Sequence, residues 1–232
     1  MLEVFPTGFE EVDSDGSVEL VAYTDAAGEE QLWHAFGGAR GEDVAADWRE
    51  RWKAFHRPVR VGPLWIGPPW EEPAADATAV VIDPGRAFGT GGHPTTQLCL
   101  EALLELERGS LLDVGCGSGV LSIAAAKLGF APVVAIDADE HAVESTQANA
   151  VANDVAVDAR VVDATGGALP ESDVALANIT RPTLVALAPH LRSRWVIGSG
   201  YLPSDAEDLD GFRHVRRLTR DSWAADVYEK AE

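Results

Sequence analysis

The chain has 232 residues, 46% of them hydrophobic, and a formal net charge of −20. That length supports one sizeable domain with a small appendage. The acidity argues against direct nucleic-acid binding, which needs a basic stripe; it reads first as solubility and second as attraction for a basic protein. Cys99 and Cys116 are the only cysteines, too few for a disulfide framework. The first residues lack a basic and apolar leader pattern, and no apolar run reaches membrane-spanning length. A soluble, reducing, cytoplasmic setting without membrane association is expected.

Residues 1 to about 43 alternate short β-like runs with Gly/Asp turns. Val18–Tyr23 and, more loosely, Gln31–Phe36 alternate polar and apolar positions, with a turn expected at Asp25–Gly28. From Val44 to Phe55 the period changes. Trp48, Trp52 and Phe55 fall on one helical face, and Pro58 ends the helix. A boundary near residue 57 divides a front region, 1–57, from a main domain, 58–232. Val59–Ile66 reads as one strand and Pro68–Pro73 as a semi-rigid linker segment. Strands follow at 79–82, 111–114, 133–137, 157–162, 173–178 and 194–199. Helices are predicted at 94–106, 120–128, 139–153, 181–191 and 203–210. Near-continuous apolar strands between helices predict a buried, mostly parallel sheet covered on both faces. Phe212–Thr219 and Ser222–Tyr228, joined by Arg220-Asp221, predict an antiparallel hairpin at the sheet edge.

The run Leu111-Leu112-Asp113-Val114-Gly115-Cys116-Gly117-Ser118-Gly119 ends a buried strand in a glycine turn and opens a helix at Val120. Such a turn lets a ligand lie against bare backbone. Val133–Asp137 is a second apolar strand ending in an acid, 22 residues beyond Gly115. That is the spacing of a βαβ unit whose acid binds ribose hydroxyls. The glycines, Gly115, Gly117 and Gly119, do not follow the G-x-G-x-x-G dinucleotide pattern. Asp113 beside them repels a pyrophosphate and suits a cationic ligand, such as the amino group and sulfonium of S-adenosylmethionine. Cys116 in the turn reads as a small tolerated residue before it reads as a reactive thiol.

Asp83–Thr96 carries four glycines, Phe88, His93 and three threonines ahead of a helix starting at Pro94 or Thr95. Its place before the glycine-turn strand puts it near the ligand-binding ends of the strands. Phe88 is a candidate to cover an adenine or shield a methyl group. The Thr95 or Thr96 hydroxyl is a candidate partner for a ligand carboxylate or amino group. His93 is read either as a base or as a helix cap. The remaining histidines lack metal-ligand spacing, so no metal site is predicted. Asn178, at the end of Asp173–Asn178, either accepts from a substrate amine or merely turns the chain. Asp163, after Val161-Val162, either accepts the adenine exocyclic amine or holds a solvated turn.

Together these segments resemble the PrmA family, which methylates ribosomal protein L11. The resemblance runs from about Asp47 to the C-terminus. It includes Asp47-Trp48-x-x-x-Trp52-Lys53, Pro58-Val59-Arg60-Val61-Gly62 and Pro68-x-Trp70-Glu71. Its narrowest part is Asp83-Pro84-Gly85-x-Ala87-Phe88-Gly89-Thr90-Gly91-x-His93-x-Thr95-Thr96, followed by the glycine turn and Ala177-Asn178-Ile179. The resemblance implies a class I methyltransferase fold: a Rossmann-like, seven-stranded, mostly parallel sheet with an antiparallel C-terminal hairpin, plus a small α+β appendage. It implies S-adenosylmethionine as cofactor, with contacts at Thr96, Gly115, Asp137 and Asn178, and a protein substrate such as ribosomal protein L11. Two features depart from the pattern. Only about 45 residues precede the linker helix, against a fuller βαββαβ-like recognition domain in the family, so the front region reads as truncated. Thr180 stands where the family usually has Leu. Three functions are therefore weighed: a protein amino-group methyltransferase, a small-molecule N-methyltransferase, and a non-catalytic cofactor-binding module.

Overall fold

The computed structural model describes residues 10–14, 17–21, 32–33, 35–36, 56–84 and 89–231. The expected turn at Asp25–Gly28, the helix at Val44–Phe55, and Phe88 lie outside the described residues. The chain forms two compact units, Met1–Trp52 and Lys53–Glu232.

In the first unit, β1 (Glu10–Ser14) and β2 (Ser17–Val21) pair antiparallel, with Ser14 opposite Ser17. Leu32, Trp33, Ala35 and Phe36 are helical, where the loose alternation predicted strand. Their apolar positions also satisfy i, i+3, i+4 spacing, and that period prevails.

The second unit contains two sheets. β3 (Val59–Val61), β4 (Leu64–Gly67) and β5 (Thr78–Val81) form a three-stranded sheet. The single strand expected over Val59–Ile66 is thus a hairpin, β3 against β4, because Gly62-Pro63 turns the chain, with Gly62 at φ +55°. Pro68–Pro73, the expected linker segment, connects β4 to β5 within this sheet. The expected strand at 79–82 pairs with β4 and does not join the large sheet.

The large sheet holds β6 (Leu111–Val114), β7 (Val133–Asp137), β8 (Asp158–Val161), β9 (Val174–Asn178), β10 (Trp195–Tyr201), β11 (Phe212–Arg220) and β12 (Trp223–Lys230). Its order is β11-β12-β10-β9-β6-β7-β8. Pairs among β6 to β10 are parallel, and β12 lies antiparallel to both β10 and β11. The seven-stranded, mostly parallel fold with its edge hairpin is therefore present. The hairpin turn sits one residue later than expected, at Asp221-Ser222, with Asp221 at φ +52°.

Helices α1 (Pro94–Leu104), α2 (Val120–Lys127) and α3 (Glu140–Ala152) bear on one apolar cluster, which includes Leu100, Leu103, Ile123 and Ala150. Helix α4 (Arg181–Leu187) bears on a second, with Leu184, Leu187 and Val196. Each fully buried leucine of this kind contributes about 1.5–3 kcal/mol. The chain runs β6 to β7 to β8 toward one edge, then returns to β9 and β10 on the other side of β6. The crevice between β6 and β9 is therefore the topological switch point, where such sheets bind ligands.

No helix forms at 203–210, against expectation. The Asp205 carboxylate accepts from the Leu202 amide at 2.8 Å, and the carbonyls of Pro203 and Asp205 accept from Arg217 at 2.7 and 3.0 Å. Groups a helix would have paired internally are held by side chains instead. Among the described residues no helix is long and apolar enough to cross a membrane.

Candidate functional site at the switch point

The glycine turn leaves β6 at the crevice. Gly115, Gly117 and Gly119 all have positive φ, at 75°, 53° and 81°. Gly119 also lacks room for a side chain, because a Cβ there would lie 3.1 Å from the Thr146 Cα of α3. The turn's amides face inward. Those of Gly115 and Cys116 donate to Ile136 O, Gly119 donates to Cys116 O, and Gly117 donates to Asp137 Oδ2 at 3.0 Å. An anion site presents such amides to the ligand; this turn does not, which disfavours a pyrophosphate.

Asp113 is 1% exposed. Its Oδ2 accepts from the Ser122 hydroxyl at 2.5 Å, while its Oδ1 is buried with no partner among the described residues. Burial pushes this carboxyl up to about 6, with the Ser122 bonds opposing and the Asp137 charge adding to the rise. A buried carboxylate oxygen without a donor is costly unless a ligand supplies one. Asp137, at the end of β7, is half-buried, and besides Gly117 it holds the Asp139 amide at 3.0 Å through Oδ1.

β9 delivers Asn178 beside this turn: Ala177 pairs with Val114 of β6 on one side and Gly198 of β10 on the other, and Asn178 itself lies opposite Ser199 of β10. The Asn178 Nδ2 lies 3.4 Å from Thr96 Oγ1. Orienting the amide nitrogen toward Thr96 leaves Oδ1 as the acceptor. Thr95 and Thr96 are both buried in the first turn of α1. Thus Thr96, Asn178, Asp113 and the glycine turn are placed by adjoining elements: α1, β9 and β6.

His93 is the N-cap of α1. Its Nδ1 accepts from the Thr95 amide at 3.4 Å and lies 2.7 Å from the Thr95 hydroxyl. Burial lowers its pKa below the ordinary value. Asp163 is exposed on a turn after β8, where its Oδ1 accepts from the Thr165 amide at 2.9 Å and hydroxyl at 2.7 Å. Cys116 is buried and its thiol is pushed up to about 12, first by burial; a thiol so placed is no nucleophile at neutral pH.

Three contributors escape sequence reading. Trp223, at the start of β12, meets the His93 ring edge-on at 4.9 Å between centroids. Nothing in the local sequence marks it, because the hairpin comes from the far end of the chain. Ser122 is found only through its bond to Asp113. Asn149 lies in a helix whose polar residues look like a solvated face, yet it is 4% exposed.

The family model described as ribosomal protein L11 methyltransferase (PrmA) matches residues 13–230. The chain is 43% identical over 210 residues to the ribosomal protein L11 methyltransferase of Pelobacter propionicus, covering 80% of this chain and 67% of that protein. It is 39% identical over 219 residues to that of Heliobacterium modesticaldum, covering 87% and 69%. Against the protein so named in Shewanella sp. strain ANA-3, 43% identity extends over 182 residues and 60% of the relative's length. The crystal structure of ribosomal protein L11 methylase from Lactobacillus delbrueckii subsp. bulgaricus superposes with a TM-score of 0.68 at 27% identity, covering 76% of this chain and 100% of that one. The fold, the narrow Asp83–Thr96 motif and these matches agree: this chain belongs to the ribosomal protein L11 methyltransferase (PrmA) family.

Proposed function

We propose that this chain is an S-adenosylmethionine-dependent N-methyltransferase acting on protein amines, lysine side chains or an amino terminus, with ribosomal protein L11 as the foremost substrate. Residues 58–232 are the catalytic domain in this reading, and 1–57 the substrate-recognition-like region. One observation carries the cofactor assignment. Among the described residues Asp113 Oδ1 is buried without a donor, beside a turn whose Gly115, Cys116, Gly117 and Gly119 amides are already engaged. That combination fits a ligand with a positively charged amino group and no phosphate. The names of the relatives support the substrate.

When bound, S-adenosylmethionine supplies a methyl group on a sulfonium, already activated for displacement by an amine. The protein's task is alignment, which can supply up to about 7–11 kcal/mol of a barrier in well-oriented systems. Asp137 accepts from the ribose hydroxyls while keeping the Gly117 amide. Asp163 accepts from the adenine amine with its carboxylate, and Gly115 and Thr96 line the remaining path. Asn178 Oδ1 accepts from the substrate nitrogen and aims its lone pair. His93 acts here through the cap on Thr95, and the amine's proton leaves to solvent before attack.

Incubation with radiolabelled S-adenosylmethionine and purified ribosomal protein L11, followed by mass spectrometry, tests this. Label on lysine or the amino terminus of L11 is expected. No label on L11, together with label confined to small molecules when a cell lysate takes its place, would replace the protein substrate by a metabolite.

The Asp113 environment gives a pH dependence. Below about 6 the ligand-free protein holds a proton on this carboxyl. A cationic amino group favours the ionised form, so binding there expels the proton. Affinity for S-adenosylhomocysteine should fall by up to about tenfold per unit below pH 6 and level off above it. Calorimetric titrations from pH 5 to 8 read this directly. Asp113→Asn should bind more weakly at pH 7 and flatten the profile; an unchanged slope would remove Asp113 from the site.

A further inference from the structure

Helix α3 and its C-cap carry two asparagines one turn apart, Asn149 within the helix and Asn153 at the cap, both nearly fully buried and both bonded to backbone far away in sequence. Asn149 Oδ1 accepts from the Asp83 amide at 3.0 Å, and its Nδ2 donates to the Ser118 carbonyl at 2.9 Å. An amide N–H can only donate and a carbonyl can only accept, so one orientation of Asn149 satisfies both. Asp83 begins the glycine-rich segment that ends at α1. Ser118 lies in the glycine turn. A second tie joins the same two segments, since the Ser118 hydroxyl donates to the Gly89 carbonyl. Between these, Thr146 of α3 donates to the Gly117 carbonyl at 3.0 Å. Asn153, by contrast, bonds to the amide and carbonyl of Val81 and to Asn149 O, and has no bond to the turn.

We propose that Asn149 is a positioning residue that couples the glycine turn to the chain at Asp83, so that ligand binding at the turn also steadies the backbone at Ile82–Pro84. The inference rests on the cofactor reading given above. The physical basis is that the two segments share one side chain as a common partner. A displacement of Ser118 is passed through a single rigid amide to Asp83, and buried bonds of this kind are costly to leave unmade. Coupling between sites needs such a shared element, with both sites biasing its position. Asn153 offers a natural control: from the cap of the same helix it braces Val81, two residues before Asp83, without touching the turn.

The test is hydrogen exchange of the full chain with and without saturating S-adenosylhomocysteine. In the unaltered protein, binding should slow exchange both at 115–119 and at 82–84. Asn149→Asp keeps an acceptor for the Asp83 amide but sets a carboxylate oxygen against the Ser118 carbonyl. It should retain ligand protection at 115–119 and lose more than half of it at 82–84, with affinity weakened about tenfold, the loss of one buried charge-neutral bond. Ser118→Ala should instead diminish protection at 89–91, and it tests the second tie should Asn149→Asp not fold. Asn153→Ala should lower thermal stability while leaving ligand-dependent protection at 82–84 intact. Undiminished protection in Asn149→Asp, or an equal loss in Asn153→Ala, overturns the coupling while leaving the cofactor reading standing. Absence of any ligand effect on the unaltered protein overturns both.

Discussion

Asn178→Ala lowers the turnover number about a hundredfold, the size of effect expected when a reacting nitrogen loses its alignment by about an ångström. Its affinity for S-adenosylhomocysteine stays near that of the unaltered protein. The division follows from geometry. Asn178 ends β9 with its nitrogen toward Thr96 at 3.4 Å, which leaves the carbonyl oxygen as the acceptor that the proposed reading assigns to the incoming amine. Asp137 stands across the glycine turn on β7, holding the Gly117 and Asp139 amides, and in the proposed reading it meets only the nucleoside. Asp137→Ala therefore weakens S-adenosylhomocysteine by about ten- to a hundredfold, the value of hydrogen bonds to a charged group. Part of that loss comes from freeing the Gly117 amide, which Asp137 also holds. Steady-state kinetics and calorimetry on both variants separate the two roles. If both lose binding equally, Asn178 is a cofactor ligand and not the aiming group.

The elements around the crevice were legible because each carries a redundant signal. β6 and β7 are short apolar runs ended by glycine or acid, and their spacing alone predicts a βαβ unit. The edge hairpin was visible in its alternation, displaced by one residue because Asp221 tolerates the left-handed conformation that the turn needs. What could not be read depends on contacts distant in sequence. Val59–Ile66 looks like a single strand until Gly62 takes positive φ. Residues 203–210 have helical composition, but Arg217, from β11, claims two of their carbonyls. His93 stood between base and cap, and only the Thr95 amide beneath its Nδ1 shows the cap. Asn149 and Asn153 were invisible for the opposite reason: buried asparagine and solvent-facing asparagine look alike in a helical pattern.

Asp226→Ala should destabilise the protein by about 3–5 kcal/mol, as expected when one member of a buried charge pair is removed. Asp226 has no exposed side-chain surface. Arg217 grips it through two bonds of 2.8 Å, His214 Nε2 lies 2.9 Å away, and the Tyr201 hydroxyl donates at 3.0 Å. Burial by itself would raise its pKa, but the bonds from Arg217, His214 and Tyr201 outweigh that and hold it below the ordinary carboxylate value. The sign is therefore that of a depressed acid: its contribution is complete above about pH 4, the unfolded value, and is lost as pH falls through the lower folded value. In the alanine variant a guanidinium only 13% exposed loses its buried partner. At roughly 2–4 °C per kcal/mol for a chain of this size, the melting temperature at pH 7 should drop by about 10 °C. Replacing both partners, Asp226→Leu with Arg217→Met, should cost less than Asp226→Ala alone, because no charge is then stranded. The cluster also reaches the candidate site. Arg181, three residues beyond Asn178, donates to the Tyr228 hydroxyl at 3.1 Å, and that hydroxyl lies 3.3 Å from Asp226 Oδ2. Scanning calorimetry of the three variants decides between a buried pair that braces this edge and one that is merely tolerated: a double variant as unstable as the alanine variant would point to lost packing and not to a stranded charge.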